Sequence, residues 1–330
     1  MSRTLVLLCV LSMSGICMGL PEVSFEKHVN RIDVNIGGKL FTSYVHQIDP
    51  GQPLIAKNRL MTKPVLFPVY SPSGTLLTRA YPFMKKAGEK SDHPHHMGVY
   101  FTIDINKDNF WGNSQKPLPA IKHVSVDTME PGFGKGTLST TLHWIASDGV
   151  SMLEEKRVMV FRVLDEGREY AIDASMTLKA LNQKVVFSDT KEGMMAVRVA
   201  PWLKEEGGTG QYLSSNGERL EKGVWGKRAK WMRLQGQLQD KTYGIAIFNH
   251  PASTNYPTYW HARGYGCFSA NPLGQGAFQK GKKVKTPEYL NLALMPGESA
   301  LFKHRLSFYE GPQTQAQLEK TFSHYTSSGD

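Results

Sequence analysis

The chain has 330 residues, of which 40% are hydrophobic, and it carries a formal net charge of +10 at pH 7. This length is enough for one large β domain, or for two smaller domains, with a substantial core. The lysines and arginines are dispersed and no nucleic-acid-binding motif accompanies them, which argues against a nucleic-acid partner, whereas a mildly basic surface suits acidic polysaccharide. The one concentrated basic run, 280–285, is predicted to be a solvated hairpin tip.

Residues 1–19 are typical of a secretory signal peptide. A short basic region precedes an apolar run at 5–11, and small residues follow it. The run is too short to span a bilayer, and no later stretch is long and apolar enough to do so. Cys9 and Cys17 fall within the predicted signal, so the mature chain keeps only Cys267 and has no internal disulfide. We therefore expect an exported protein, periplasmic or extracellular.

The rest of the chain shows a pattern of period two. Apolar and polar residues alternate in short segments, and turns rich in Gly, Pro, Asn and Asp separate these segments. The predicted strands are, in chain order, 39–48, 98–105, 137–145, 156–163, 170–178, 185–188, 196–200, 229–238, 243–249, 289–294 and 302–308. The only helix predicted is 314–325.

Many consecutive strands without intervening helices predict an all-β fold. The arrangement expected is a large antiparallel β-sandwich or supersandwich with a short C-terminal helix. The sequence contains no clear linker or repeat, so residues 20–330 are predicted to form a single domain. We expect this domain to be a monomer or a small homo-oligomer.

Three imidazoles occur within four residues at His93-Pro94-His95-His96. Histidine titrates near neutral pH, and its neutral ring is the commonest metal ligand. Pro94 favours an extended conformation of His93, and in an extended segment side chains two apart share a face. We therefore expect His93 and His95 to point one way, as a metal-binding or substrate-binding pair, and His96 to point the other. Surface or hydrogen-bonded histidines without a function are the third interpretation.

A second polar cluster is the segment 189–193, Asp-Thr-Lys-Glu-Gly, between two apolar stretches. A carboxylate in such a loop can act as a general base, a general acid or a metal ligand. Glu192 is the predicted general base, and Lys191 is a predicted substrate contact. The composition of the loop describes an exposed polar turn equally well.

Aromatic, basic and glycine residues are dense between 249 and 271. Rings of Trp and Tyr stack on the apolar faces of sugars, and Arg binds carboxylates or hydroxyls. His261 is predicted to be catalytic, together with His96. The other predicted substrate-binding residues, one of them in an earlier aromatic segment, are Trp111, His250, Tyr259, Trp260, Arg263 and Asn271. Core packing explains some of these aromatic residues equally well, and the chain lacks the GxSxG, HExxH, P-loop and GxGxxG motifs.

Five motifs in matching order resemble those of the DUF6807 family. They are the segments 92–98, 109–111, 189–193, 225–231 and 259–266. The resemblance extends over roughly the whole mature chain, and it implies a fold like that of galactose mutarotase, export in planctomycetes and Bacteroidetes, and a role in glycan breakdown. Members often carry the label "methane oxygenase PmoA", which conflicts with a chain that has no membrane-spanning segment after its predicted signal.

The leading hypothesis is an exported carbohydrate-active enzyme of the hydrolase, lyase or epimerase type. In this hypothesis Glu192 is the general base, and His96 or His261 polarises or protonates a sugar oxygen. A metal-dependent version places a divalent ion on His93 and His95. Two other hypotheses stay open, a non-catalytic glycan-binding protein and a metal-dependent oxygenase.

Overall fold

The computed structural model describes residues 19–56, 59–114 and 119–327. Within these ranges the strands are β1 (Glu22–Lys27), β2 (Arg31–Ile36), β3 (Lys39–Val45), β4 (Val65–Val69), β5 (Val99–Ile103), β6 (Ala120–Glu130), β7 (Gly132–Phe133), β8 (Lys135–Ile145), β9 (Ser151–Leu164), β10 (Glu169–Ala180), β11 (Val185–Val186), β12 (Gly193–Arg198), β13 (Gln211–Ser214), β14 (Trp231–Leu238), β15 (Lys241–Asn249), β16 (Tyr259–Ala262), β17 (Cys267–Asn271), β18 (Ala293–Leu294) and β19 (Ser299–Glu310). The helices are α1 (Leu220–Val224), α2 (Gln275–Gly281) and α3 (Gln315–Ser327).

The strands of the described residues build two large sheets. The nine-stranded sheet has the order β16-β17-β12-β5-β4-β3-β2-β1-β7, and the eight-stranded sheet has the order β13-β14-β15-β19-β10-β9-β8-β6. A short ribbon joins β11 to β18. Neighbouring strands run antiparallel in both sheets. The predicted all-β fold, a large antiparallel β-sandwich, is confirmed.

An apolar core lies between the two sheets. In strands such as β2 and β9, buried residues alternate with more exposed ones, as the period of two requires. The largest side chains in the core include the fully buried Phe101, Trp144 and Phe161. Burying one such side chain stabilises the fold by roughly 1.5–3 kcal/mol. Stability therefore comes from this core, and Cys267 is buried as a free thiol.

Each predicted strand overlaps a strand of the structure, and the predicted helix 314–325 corresponds to α3. Eight strands of the described residues were not predicted. In β4, β16 and β17 consecutive residues are buried on both faces, so no alternation is visible. The others are β1, β2, β6, β7 and β13. The prediction of a hairpin tip at 280–285 is wrong, because Lys280 and Gly281 end the short helix α2.

The predicted signal segment lies outside the described residues, apart from Gly19. Cys9 and Cys17, which belong to that segment, therefore also lie outside them. Among the described residues, no helix has both the length and the apolar character needed to cross a membrane.

A second apolar cluster lies on the outer face of the nine-stranded sheet, the face turned away from the eight-stranded sheet. In β5, Phe101 belongs to the core between the sheets, whereas its neighbour Tyr100 belongs to this second cluster. The outer cluster also contains Met97, Trp111 and Cys267. The segments that carry Met97 and Trp111 thus cover part of the outer face, and they bring the histidine-rich motif onto it.

Candidate functional site

The outer face of the nine-stranded sheet carries a row of four side chains from adjacent strands. His261 of β16 pairs with Ser269 of β17, Ser269 with Ala196 of β12, and Ala196 with Tyr100 of β5. Adjacent strands lie about 4.8 Å apart, so roughly 14 Å separates the backbone of His261 from that of Tyr100. The row is buried and has an imidazole at one end and a tyrosine at the other.

The histidine-rich motif forms a turn over this face and is not extended. The amide of His96 donates to the carbonyl of His93 at 3.0 Å, and His93 has φ = 42°. The ring of His96 lies 5.0 Å from that of His93 and 4.3 Å from that of His95. The prediction that His93 and His95 point one way and His96 the other is therefore wrong, because the turn gathers all three rings.

His96 is the most buried of the three, with 1% of its surface exposed. Its ring stacks on Tyr100 at 6.0 Å and meets Trp111 edge-on at 5.4 Å. Burial, followed by the charges of its neighbours, holds the pKa of His96 well below its usual range, so the ring is neutral. Nδ1 faces Nη1 of Arg198 at 3.5 Å, which leaves the proton on Nε2. That atom is buried and has no hydrogen-bond partner among the described residues.

Two buried arginines hold the turn in place. Nη1 of Arg79 donates to the carbonyl and the carboxylate of Asp92 at 3.0 and 2.6 Å, and Nη2 donates to the carbonyls of His93 and His96 at 2.9 and 3.2 Å. Nη2 of Arg198 donates to the same carboxylate oxygen of Asp92 at 3.1 Å. The turn is thus tied to the body of the protein through its backbone carbonyls, which explains why it departs from the local preference of a residue before proline.

His95 is half-buried beside the same positive charges. Burial, then the charges of Lys63, His93 and the two arginines, lower the pKa of His95 to about 3. Lys63 is itself buried, and its ammonium donates to the carbonyl of Trp111 at 2.8 Å. Desolvation lowers the pKa of Lys63 to about 7. The imidazole of His95 is therefore neutral at physiological pH.

In the loop 189–192, Asp189 and Thr190 are hydrogen-bonded to the rest of the protein, whereas the carboxylate of Glu192 is partly exposed. The carboxylate of Asp189 accepts the amides of Gly276 and Ala277 at 2.9 Å each, so it caps α2. The amide of Asn271 donates to the carbonyl of Thr190 at 2.8 Å. Asp189 and Asn271 are thereby used in fixing the loop, and Asn271 is fully buried.

Glu192 is the acid that this loop presents. Its carboxylate is 31% exposed and forms an ion pair with Lys191 at 2.5 Å. The charge of Glu192 raises the pKa of four neighbours, namely Asp104, His261, Tyr265 and Cys267. Glu192 directly precedes β12, next to Gly193, whose carbonyl accepts the hydroxyl of Ser269 in the row.

His261 lies at the end of the row with 1% of its surface exposed. Its Nδ1 accepts the indole N–H of Trp225 at 3.3 Å, which leaves the proton of the neutral ring on Nε2. Burial lowers the pKa of His261 to about 4, and the carboxylate of Glu192 opposes this effect while Lys191 and Arg263 add to it. His261 is therefore a neutral hydrogen-bond donor near pH 7.

Tyr265, between β16 and β17, contacts both the histidine turn and the arginines beside it. Its ring stacks on His93 at 5.3 Å, and the guanidinium groups of Arg198 and Arg263 lie over it at 4.8 and 5.5 Å. Arg263, a predicted substrate contact, also pairs with Glu221 at 2.8 Å. Tyr265 is only partly buried and offers an aromatic surface next to the imidazoles.

Three of the predicted substrate contacts lie away from this cluster. Trp260 is fully buried between the sheets and donates to the carbonyl of Ala229 at 3.1 Å. Tyr259 is also buried and stacks on Phe278 of α2 at 5.5 Å. His250 contacts Tyr325 of α3 at 5.2 Å. Tyr259, Trp260 and Trp111 were predicted to stack on a sugar, but the rings of Tyr259 and Trp260 are packed against protein and Trp111 is 4% exposed.

The residues of the turn do not fit the predicted metal centre. Within the described residues, three candidate ligand atoms come within 4.8 Å of one another only at Glu26, His28 and Asp33. His93 and His95 do not belong to such a group, and the cations that lower the pKa of His95 also repel a divalent ion.

Sequence patterns missed five members of the site. Arg79, Tyr100 and Arg198 were not predicted, because a single residue carries no motif, and Tyr265 belonged to the motif 259–266 without a predicted role of its own. An arginine within the apolar stretch 194–200 was the one available signal, since arginine is almost never fully buried unless it is paired. Lys63 and Asp104, which lie beside Trp111, gave no signal at all; burial raises the pKa of Asp104 to about 6.

Fold and site together define a two-sheet antiparallel β protein with a histidine- and arginine-rich outer face. The model of DUF6807, a family of unknown function, matches residues 31–323. The chain therefore belongs to this family, as its motifs predicted.

Several solved structures are similar to the chain, and two of them illustrate the range. One is the galactosidase domain of the alpha-galactosidase-sucrose kinase AgaSK, with 10% identity, a TM-score of 0.42, and coverage of 88% of this chain and 41% of that one. The other is a galactose mutarotase related enzyme from Lactobacillus acidophilus, with 8% identity, a TM-score of 0.29, and coverage of 88% and 98%. The chain thus spans about two fifths of the first structure. No curated protein matches the chain.

Proposed function

We propose that this protein binds a saccharide on the outer face of the nine-stranded sheet and acts on it by acid–base chemistry. The observation that carries the proposal is the place of Glu192 directly before β12, next to Gly193, whose carbonyl accepts the hydroxyl of Ser269 in the row. The charge of Glu192 also raises the pKa of Asp104, which burial raises first. A carboxylate, neutral imidazoles and an aromatic surface around one site are the groups that proton transfer on a sugar requires.

Glu192 is the proposed general base. It is partly exposed, its only ion pair within the described residues is with the exposed Lys191, and α2 and Asn271 hold its loop rigidly. In the reaction Glu192 takes a proton from a sugar carbon, a sugar hydroxyl or a bound water. A well-placed base of this kind accelerates a reaction by about 10²–10⁴-fold.

His96 and His261 are the proposed hydrogen-bond donors. Each ring is neutral, and each has a neighbour at Nδ1 that leaves the proton on Nε2. A neutral imidazole stabilises negative charge on a sugar oxygen by donating a hydrogen bond, and it need not transfer the proton. This role differs from protonation by an imidazolium, which the low pKa of about 4 of His261 disfavours near pH 7.

Asp104 supplies the acid that neutral imidazoles cannot. Its backbone carbonyl accepts the amide of Ser188 at 2.9 Å, next to the loop of Glu192. Burial, helped by Glu192, raises the pKa of Asp104 to about 6, so a protonated carboxyl is available in mild acid. Two carboxyl groups with different pKa values divide the roles of acid and base.

The experiment compares Glu192→Gln with Glu288→Gln, a matched change at an exposed glutamate outside the site. Both variants and the native protein are incubated with neutral and acidic oligosaccharides in deuterated buffer. NMR detects bond cleavage, epimerisation and deuterium uptake at sugar carbons, and calorimetry measures binding.

The proposal expects turnover by the native protein and by Glu288→Gln, and a loss of at least about 10²-fold in Glu192→Gln with binding retained. Binding without turnover in all three proteins would overturn the catalytic part and leave a glycan-binding protein. If no oligosaccharide binds, the whole proposal fails.

We also propose that the protein is exported after removal of residues 1–19, on the basis of the signal pattern at its N-terminus. Expression of the full chain in a bacterium, followed by fractionation and intact-mass measurement, tests this directly. The expected result is a periplasmic or extracellular protein that begins near Leu20. A full-length protein in the cytoplasm would contradict it.

A further inference from the structure

Two deeply buried arginines in the site share one carboxylate. The side chains of Arg79 and Arg198 are 3% and 5% exposed, and both donate to the same oxygen of Asp92. Nε of Arg79 is buried and has no hydrogen-bond partner among the described residues. Desolvation and the neighbouring Arg198 lower the pKa of Arg79 to about 10. The pair therefore holds more positive charge than Asp92 balances.

A small pocket of about 80 Å³ opens beside this pair. Its lining includes four cationic side chains and two carboxylates, namely Arg79, Lys90, Asp92, Arg198, Lys204 and Glu206. The volume lies below the range of about 300–1,000 Å³ that is typical of pockets for whole small molecules, so the pocket has room for a single substituent of a larger ligand. The ammonium groups of the two lysines form no ion pair within the described residues. The lining thus carries two more positive than negative side chains.

The pocket and the proposed sugar site share a wall. Tyr265 lines the pocket, and its ring stacks on His93 at 5.3 Å. Arg198 lines the pocket and also faces Nδ1 of His96 at 3.5 Å. A sugar held next to the imidazoles is therefore within reach of the pocket through one of its substituents.

We propose that the saccharide bound by this protein carries an oxyanion, either a uronic acid carboxylate or a sulfate ester, and that this group occupies the pocket lined by Arg198, Lys90 and Lys204. The inference rests on the proposed function and names its substrate class. Guanidinium groups pair geometrically with carboxylate and sulfate oxygens, and the buried arginines are already fixed by Asp92. An anion entering the pocket therefore meets donors that need no rearrangement.

The test uses the double variant Lys90→Gln/Lys204→Gln. Lys90 is exposed and Lys204 is partly exposed, so their replacement leaves the fold and the buried arginines in place. The matched control is Lys122→Gln/Lys135→Gln, which removes the same charge from exposed positions on β6 and β8 of the other sheet. This control separates the pocket from the general attraction of a protein with a net charge of +10.

Calorimetry measures the binding of uronate-containing, sulfated and neutral oligosaccharides of equal length to the three proteins. We expect binding to oligosaccharides of one acidic class and not to their neutral counterparts, with affinity about tenfold weaker in the pocket variant and within twofold in the control. Comparison of the uronate-containing with the sulfated oligosaccharides identifies whether a carboxylate or a sulfate is bound.

Three outcomes would overturn the inference, and they differ in meaning. If neutral oligosaccharides bind as tightly as acidic ones, the proposed function stands, but the inference that the ligand carries an oxyanion is wrong. Equal losses in the pocket variant and the control would show that net charge alone attracts the ligand. If no saccharide of any class binds, both the inference and the proposed function fail.

Discussion

Two clusters in this protein place two arginines around one aspartate, and they differ in what remains unpaired. The first, the sheet cluster, consists of Arg162, Asp173 and Arg305 on the eight-stranded sheet. The second, the turn cluster, consists of Arg79, Asp92 and Arg198 in the candidate site. The residue types are identical, so any difference between the clusters comes from geometry alone.

We call the sheet cluster closed, because both carboxylate oxygens of Asp173 accept hydrogen bonds from the arginines. Asp173 accepts Nε of Arg162 at 2.6 Å, and Nε and Nη2 of Arg305 at 2.5 and 2.7 Å. Both oxygens of the carboxylate are used, one arginine binds in a bidentate manner, and the three residues stand on adjacent strands β9, β10 and β19. The guanidinium of Arg305 also covers the ring of Tyr325 at 4.7 Å. Such an arrangement stabilises a sheet and the helix that packs on it.

We call the turn cluster open, because some of its buried donors have no partner among the described residues. One oxygen of Asp92 accepts both arginines, and Nε of Arg79 and Nε2 of His96 are buried without partners among the described residues. Unsatisfied buried donors cost about 1–3 kcal/mol each. The same residue types thus form a fully bonded, stabilising cluster in one place, and in the other a cluster that leaves buried donors without a partner among the described residues.

The largest expected effect is on the sheet cluster. Asp173→Asn keeps the size of the side chain but removes the negative charge that Arg305 binds in a bidentate manner, and Arg305 is only 7% exposed. We expect the free energy of unfolding to fall by about 3 kcal/mol, as for other broken buried ion pairs. Urea denaturation followed by fluorescence measures the change. A loss below about 1 kcal/mol would mean that the cluster is not a stabilising element.

Asp92→Asn is expected to lower the free energy of unfolding by less, about 1–2 kcal/mol. Asp92 is 36% exposed, so water screens its attraction to the two arginines. The variant should, however, respond to sulfate. At equal ionic strength, sulfate in place of chloride should stabilise Asp92→Asn by about 1 kcal/mol more than Asp173→Asn, which corresponds to sulfate at about five times its dissociation constant. Sulfate stabilises proteins in general, so only the difference between the two variants counts. Equal responses would remove the distinction between an open and a closed cluster.

The pH dependence of the free energy of unfolding tests the buried His304, which lies next to the sheet cluster. His304 precedes Arg305 on β19, is fully buried, and has a pKa lowered to about 3 by burial alone. In the unfolded chain its pKa is about 6.5, so between these values the unfolded state binds more protons and stability falls as the pH is lowered. His304→Gln should reduce the slope of unfolding free energy against pH by about 1.4 kcal/mol per pH unit between pH 4 and 6. An unchanged slope would indicate that the ring is protonated in the fold.

The smallest effect is expected at the edge of the site. Lys191 is 47% exposed and pairs with Glu192 on the surface, so Lys191→Gln should change the unfolding free energy by less than about 0.5 kcal/mol. A large loss of stability would show that the loop depends on this ion pair, against the anchoring assigned to Asp189 and Asn271.

The sequence by itself determined the class of fold and most of its elements. Alternation of apolar and polar residues follows from the geometry of a strand with one buried face, so it identified β9 and β10 without any knowledge of their partners. It failed at β16 and β17, where both faces are buried and the aromatic residues look like a ligand platform. Family membership was likewise readable from short motifs in a fixed order.

Only the tertiary structure decided which polar residues meet. Arg79 and Arg198 are separated by more than a hundred residues along the chain, yet they share one oxygen of Asp92. Their bonds to backbone carbonyls also set the conformation of the histidine turn, against the preference that Pro94 imposes on His93. Local preferences of this kind amount to about 1 kcal/mol or less per residue, and several hydrogen bonds to a charged group outweigh them. Long-range pairing of this kind leaves no pattern in a single sequence.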